Sequence, residues 1–295
     1  MLRKALGALL FFLLTTAVGL AQQQGGYLDV YIARVKPEKR AAFDDVNKKM
    51  VDANRRHNGD IWLALEVEYG EQNTVVFSSS RESYGDVEKS SELFDAALRK
   101  AYGEAGVRAL GQQFSDTLES SRSEIRQRRW DLSYNAPADR AAYTQLLGKT
   151  RWVRSAIVRV RPGHAAEFEA MMKEINAAAQ KSNMPGMRWV SQVTAGGNPG
   201  TYYITRLMMS LAELDQATSL REMMGEEGYE RFQKMDAEAV AGVEYVLYRV
   251  VPELSNLPPE VTAVAPEFWN PKPKAAAAPK PKATEAGKPA TTPNP

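Results

Sequence analysis

Apolar and polar positions along this chain run through the same series of periods twice. An apolar run from Leu28 to Val35 leads into a helical pattern from Glu38 to Arg55, where Phe43, Val46 and Met50 fall at i, i+3 and i+7. Two short strands follow, Ile61 to Glu68 and Thr74 to Ser80, joined by the turn-forming run YGEQN. Ser83, with Asp86 behind it, then marks a capped helix start, and a last strand is expected from Glu124 to Trp130. The second pass has Phe168, Met171, Met172 and Ile175 on its first helix. Its hairpin strands, Met187 to Thr194 and Thr201 to Met208, are joined by AGGNP; Ser210 and Glu213 form its cap, and its closing strand is Val243 to Val251.

The two passes also match residue by residue. VKPEKRAAF, from Val35 to Phe43, meets VRPGHAAEF, from Val160 to Phe168, at an offset of 125. Trp62 meets Trp189, and Gly70 to Thr74 meets Gly197 to Thr201, at 127; GEAG from Gly103 meets GEEG from Gly225 at 122. Order is kept and the offset drifts only at loops, as a duplication with loop insertions would leave it. Each copy therefore reads β-α-β-β-α-β, the ferredoxin-like order, in which one antiparallel sheet carries helices on one face and leaves the other bare. Two bare apolar faces in one chain are expected to cover each other. The fold class that follows is α+β, with two tandem ferredoxin-like repeats packed sheet to sheet as an intrachain α/β barrel.

A tandem of this kind, with Lys36-Pro37 and Arg161-Pro162 after the first strands and Phe43 and Phe168 in the first helices, resembles the dimeric α/β-barrel superfamily, in particular its NIPSNAP-like and antibiotic-biosynthesis-monooxygenase-like branches. The resemblance spans about Tyr27 to Pro252. It implies the barrel fold. It implies no single reaction, because such families include cofactor-free oxygenases, haem-handling enzymes, isomerases and proteins without known chemistry.

The ends of the chain change the picture of where it works. Arg3 and Lys4 precede an apolar run from Ala5 to about Leu20, and the small residues Gly19 and Ala21 close it, the form of a signal peptide cut after Ala21. The expectation is export, to the periplasm or the medium. The protein has no cysteine, so disulfides and thiolate chemistry are out of reach. Asn270 to Pro295 is Pro, Ala, Lys and Thr with almost no core-forming residue, and is expected to be a disordered tail. That tail carries five lysines against Glu285, and the leader adds Arg3 and Lys4, so the whole-chain net charge of +2 leaves about −4 on residues 22–269. A nucleic-acid partner is disfavoured by that acidic body. The expected organisation is a signal peptide at 1–21, repeats at 27–134 and 152–255 with a linker at 135–151, and an extended region at 256–295 ending in the tail.

Candidate chemistry comes from strand alternation. Tyr31, Ala33 and Val35, with Ala156, Val158 and Val160, are expected under the helices, which sends Arg34 and Arg159 toward the barrel interior. Leu63, Leu65 and Val67 are likewise expected under the helices, which sends Trp62 and Glu66 inward together with Trp189. Tyr203 is a further strand hydroxyl. Arg34, Trp62, Glu66, Arg159, Trp189 and Tyr203 are the candidate ligand-binding lining, suited to a small apolar or aromatic anion. The plainer reading is that Arg34 or Arg159 pairs with Glu66 in a filled barrel. His57 at a helix end and His164 in a turn read as surface residues, and with two separated histidines and no cysteine neither a metal nor another cofactor is expected. LLGKT, from Leu146 to Thr150, lacks the glycine and the preceding strand of a phosphate loop. Three functional readings follow: an exported binder of a small apolar or aromatic anion, a cofactor-free oxygenase or isomerase acting on an aromatic or quinone-like compound, and an envelope protein whose basic tail touches anionic cell-envelope material. Homo-oligomerisation is left open.

Overall fold

Each copy builds a four-stranded antiparallel sheet, and the two sheets share their edges. The computed structural model describes residues 26–271 apart from residue 217; the expected leader and residues 272–295 of the expected tail lie outside the described residues. In the first copy β1 (Tyr27–Val35) is followed by α1 (Arg40–Arg56), β2 (Leu63–Tyr69), β3 (Thr74–Arg81), α2 (Tyr84–Asp116) and β4 (Leu118–Arg128). After α3 (Arg140–Lys149) the second copy repeats the order with β5 (Trp152–Val160), α4 (Ala165–Lys181), β6 (Trp189–Ala195), β7 (Thr201–Met208), α5 (Leu220–Ala239) and β8 (Val240–Val250). Two short helices, α6 (Pro259–Thr262) and α7 (Pro266–Trp269), complete the described chain. The strands close into a barrel in the order β1-β3-β2-β8-β5-β7-β6-β4.

Closure is by hydrogen bonding as well as by facing. Glu66 pairs across to Arg249 in the β2-β8 seam, and Arg128 pairs across to Ser191 in the β4-β6 seam. The expectation of two sheets pressed face to face is thus met in a stronger form, since no ferredoxin edge is left open. Val30, Ile32, Leu63, Leu65, Val76 and Val153 belong to the interior core, while Phe43, Val35 and Phe168 pack beneath the helices.

The repeat is also written in the backbone. Gly103 interrupts α2 at φ 65°, ψ 172°, and Gly225 interrupts α5 at φ 71°, ψ 173°, the same break at the positions matched by GEAG and GEEG. Open space surrounds both Cα atoms, so the left-handed φ, which a side chain disfavours, is the reason for glycine here.

Several boundaries differ from the sequence expectation. The strand expected from Glu124 begins at Leu118. Ser210 and Glu213 do form a capping box, but it opens only a 3-10 turn; α5 starts behind a second box, Ser219 with Glu222. The expected linker holds α3, capped by Asp139. The region expected to run extended from 256 folds back instead, burying Val261, Ala265 and Trp269 in the barrel core. Gly148 makes that fold-back close: a Cβ there would lie 2.5 Å from Val264 Cβ, and the Trp269 indole donates to the Gly148 carbonyl at 2.9 Å.

A half chain exposes both the interior face and two unpaired edges. Residues 26–134 expressed alone are therefore expected to dimerise or aggregate in light scattering; a well-behaved monomer would contradict this account of closure.

Candidate functional site

Two cavities lie in the barrel interior, and one strand lines both of them with charged side chains. β4 alternates so that Arg122, Glu124, Arg126 and Arg128 face inward, opposite Ile32, Val30 and Leu28 of β1. The matching strand of the second copy, β8, places Glu244, Val246, Tyr248 and Val250 at those positions, as the pairing of Ile32 with Arg122 and of Ile157 with Glu244 shows. The last strand of the first copy is therefore charged on its inner face, and that of the second copy is largely apolar. The legible signal was the period-2 run R-S-E-I-R-Q-R, from Arg122 to Arg128, set against apolar residues in the sister strand. The sequence expectation overlooked it.

The larger cavity, of about 600 Å³, opens at the end where β1 begins and β4 ends. Leu28, Val30, Leu65, Val76 and Val153 form its apolar wall, and α3 and α6 lie across its mouth with Tyr143, Leu147 and Val261. Arg128 sits in this wall at 7% exposure. Its guanidinium carbon is 5.3 Å from the Trp130 ring centre and 5.0 Å from that of Trp189. Tyr143 stacks on Trp189 with ring centres 5.5 Å apart and planes 12° from parallel. Among the described residues the Arg128 guanidinium makes two long hydrogen bonds, through Nη2 to Ser80 Oγ at 3.4 Å and Tyr143 Oη at 3.5 Å. Its Nε and the indole N–H groups of Trp130 and Trp189 have no acceptor among the described residues. Among the described residues Arg128 is in no ion pair. Three buried donors around one aromatic box lack acceptors, a costly arrangement unless an acceptor arrives from outside.

The smaller cavity, of about 360 Å³, lies toward the other end. There Glu124 accepts from Arg126 Nε at 2.8 Å, from Arg122 Nε at 3.1 Å and from Tyr203 Oη at 3.2 Å. Arg126 also lies 3.4 Å above the Tyr203 ring centre. Burial alone would raise the Glu124 carboxyl, but the Arg126 charge and the arginine hydrogen bonds outweigh it and hold the group below its ordinary range. Burial raises the Tyr203 phenol and pushes the Tyr248 phenol up to about 12. This cluster is satisfied internally, in contrast to Arg128.

Of the expected lining, Trp189 borders the larger cavity and Tyr203 and Arg159 the smaller one. Arg159 is half exposed at the rim, 3.6 Å from Glu244, and Arg34 is exposed and pairs with Glu71 and Glu119. Glu66 points to the helix side, where it pairs with Arg40 and with Arg249 at 3.0 Å, so the expected pairing with Arg34 or Arg159 does not form. Trp62 reaches the cavity margin, but its ring packs edge-on against Phe94 beneath α2, and its indole donates to the Leu254 carbonyl at 2.7 Å.

A shift of register places Trp62 and Glu66 on the helix side. Leu63 pairs with Ser78 where Trp189 pairs with Thr205, so Leu63, not Trp62, is the counterpart of Trp189, and the offset between β2 and β6 is 126. The loop after β6 is one residue longer than that after β2. A slip of one residue reverses every side chain of a strand. Leu63, Leu65 and Val67 accordingly face the interior, not the helices. His57 ends α1, and His164 starts α4 paired with Glu167 at the surface.

No family model and no curated protein matches this chain. Solved structures do resemble it. A candidate monooxygenase from Fusobacterium nucleatum aligns over 76% of this chain and 91% of its own at 12% identity, TM-score 0.48. An anthrone oxidase-like protein aligns over 76% and 91% at 15% identity, TM-score 0.47. A chlorite dismutase from Candidatus Nitrospira defluvii aligns over 81% and 95% at 10% identity, TM-score 0.46. Likenesses this distant carry no residue's role across.

Glu124 yields a test of the inner cluster. Because its folded-state carboxyl is depressed, its contribution to stability is present above the ordinary carboxylate value and lost as pH falls through the folded value. Glu124→Gln is expected to cost about 3–5 kcal/mol at neutral pH by stranding Arg126, and to flatten the acid limb of the stability curve measured by urea melts at pH 2 to 7. An unchanged acid limb would contradict the ionised, arginine-held state.

Proposed function

We propose that the larger cavity binds a small anion with an aromatic or apolar body, its negative group seated on Arg128 and its body against the Trp130, Trp189 and Tyr143 rings. The observation that carries this reading is the buried Arg128 guanidinium without a carboxylate partner, beside two indole donors without acceptors. An arginine kept for stability would have a partner, since a buried lone charge costs free energy. A carboxylate suits the planar, forked guanidinium, and flat rings suit the aromatic walls. A volume of about 600 Å³ falls within the range of small-molecule sites.

The competing reading is a cofactor-free oxygenase or isomerase in the same interior. It needs a general base facing the substrate. Glu124, the interior carboxylate nearest that role, is held by Arg122 and Arg126 in its ionised form below the usual range, which makes it a weak base. This favours binding over catalysis. Closer kinship with the NIPSNAP-like or antibiotic-biosynthesis-monooxygenase-like branches belongs to the same proposal, as does export of the protein with residues 1–21 removed and contact of its basic tail with anionic envelope material.

Arg128→Met separates a ligand residue from a structural one. Without ligand the variant is expected to melt at or above the parent temperature, because no ion pair is broken. With a panel of benzoate-type, naphthoate-type and medium-chain carboxylates, the parent melting temperature should rise. The variant should bind the best of them roughly 10- to 150-fold more weakly, as loss of a charge-assisted hydrogen bond of about 1.5–3 kcal/mol implies. No shift in the parent across the panel, or a variant several degrees less stable, would refute the reading. For export, the mature N-terminus recovered from the periplasm or medium should begin at Gln22; a retained leader would overturn it.

A further inference from the structure

The second copy carries an unbalanced row of arginines on its outer face, at the places where the first copy is balanced. Arg154 of β5 lies directly opposite Arg206 of β7, and Arg188, just before β6, lies on the other side of Arg206 by the same register that pairs Trp189 with Thr205. All three have the strand parity of Ala156, Val190 and Ile204, which pack under the helices of this copy. Like charges directly opposite on a sheet destabilise it. The corresponding residues of the first copy are Asp29, Trp62 and Ser79, with Asp29 opposite Ser79.

The first copy also shows what is absent from the second. There Arg81 is held by Asp60 at 2.7 and 2.9 Å and by Asp29 at 3.4 Å. At the offset of 126 the counterpart of Asp60 is Gly186, and a Cβ on Gly186 would lie 3.3 Å from Arg206 Nη2. A backbone with no side chain thus stands beside the arginines where the sister copy supplies a carboxylate.

Internal partners do not make up the difference. The Glu213 carboxylate approaches Arg206 only at 3.6 Å, its other oxygen is spent on the Met209 and Ser210 N–H groups at 2.7 and 3.4 Å, and the remaining contact is a long, neutral one, from Arg206 Nη2 to the Glu213 carbonyl at 3.4 Å. The Arg206 Nε is buried without an acceptor among the described residues. Arg188 finds a neutral acceptor, Asn176 Oδ1 at 3.1 Å, and Arg154 lies 4.5 Å over the Tyr245 ring, with no carboxylate on either among the described residues. Burial, with Arg206 nearby, lowers the Arg188 pKa from its ordinary value. Arg206 retains 19% side-chain exposure, so the row can be reached from solvent.

We propose that Arg154, Arg188 and Arg206 form a second site, outside the barrel, for a compact oxyanion of the phosphoryl class carrying two negative charges. Three arginines against one capping glutamate leave about two positive charges to be met, and a tetrahedral oxyanion between neighbouring strands can accept from more than one fork at once.

The test uses the full chain and inorganic phosphate, with sodium chloride at matched ionic strength as the reference. The parent melting temperature should rise by several degrees in phosphate beyond the chloride value, and Arg128→Met should show the same rise, which keeps this site separate from the barrel cavity. Arg154→Asp, restoring the residue type of the first copy, should raise the melting temperature without phosphate and weaken phosphate binding at least tenfold by calorimetry; Arg206→Gln should also weaken it. Flotation with phosphatidylcholine vesicles containing phosphatidic acid, lost in Arg154→Asp, would place the phosphoryl group on a lipid. A phosphate shift without flotation would place it on a soluble ligand. The proposal is overturned if the parent shows no shift beyond chloride, or if Arg154→Asp binds phosphate as the parent does.

Discussion

Backbone pairing at two seams, β2 with β8 and β4 with β6, is the constraint on which this molecule depends. A ferredoxin-like sheet has two edges with unpaired N–H and C=O groups and a face with no helices, and each is a liability in water. Joining two such sheets at both edges removes all of these liabilities at once. It also encloses the bare faces as one interior, so that positions that would be surface in a single copy become the lining of a chamber. The ion pairs of Arg249 with Glu66 and Glu68 lie on the outside of one seam and reinforce it.

Once closed, the two halves are free to differ, because neither has to form a whole chamber. The first copy turned its last strand charged on the inside, while the last strand of the second kept Val246, Tyr248 and Val250 in the facing positions. Within that charged stripe the residues divide by partner. Glu124, Arg126 and Tyr203 satisfy one another, whereas Arg128, two residues further along the same face, meets aromatic rings and pairs with no acid among the described residues. Position on one strand thus separates a group held in an ion-pair cluster from one packed among aromatic rings. The outer arginine row shows the same divergence on the other surface, with Asp29 and Asp60 of one copy set against Arg154 and Gly186 of the other.

The mouth of the larger cavity is closed by residues between and after the copies. Gly148 lets α3 lie close against α6, and Trp269 fastens the fold-back to the Gly148 carbonyl. Through Tyr143, which stacks on Trp189 and lies 3.5 Å from Arg128, this cap touches the group proposed to receive the ligand. The cover and Arg128 are therefore parts of one packed unit.

The duplication, the β-α-β-β-α-β order, the helix starts at Ser83 and the matched glycines at Gly103 and Gly225 could all be read from the chain, because each rests on contacts within a few residues or on a local φ preference. The inward face of β1 could be read too, since Ala33 and Val35 lie under helices that follow directly in sequence. The inward face of β2 could not. Apolar Leu63, Leu65 and Val67 mark a buried face, but a barrel buries both faces, and which one lay inside depended on a loop length and on pairing with a strand some 180 residues away. For the same reason the chain alone could not show that Arg128 would lack an acid while Arg126 found one. Alternation selects the side of a strand on which a charge emerges, and only closure of the barrel selects what meets it there.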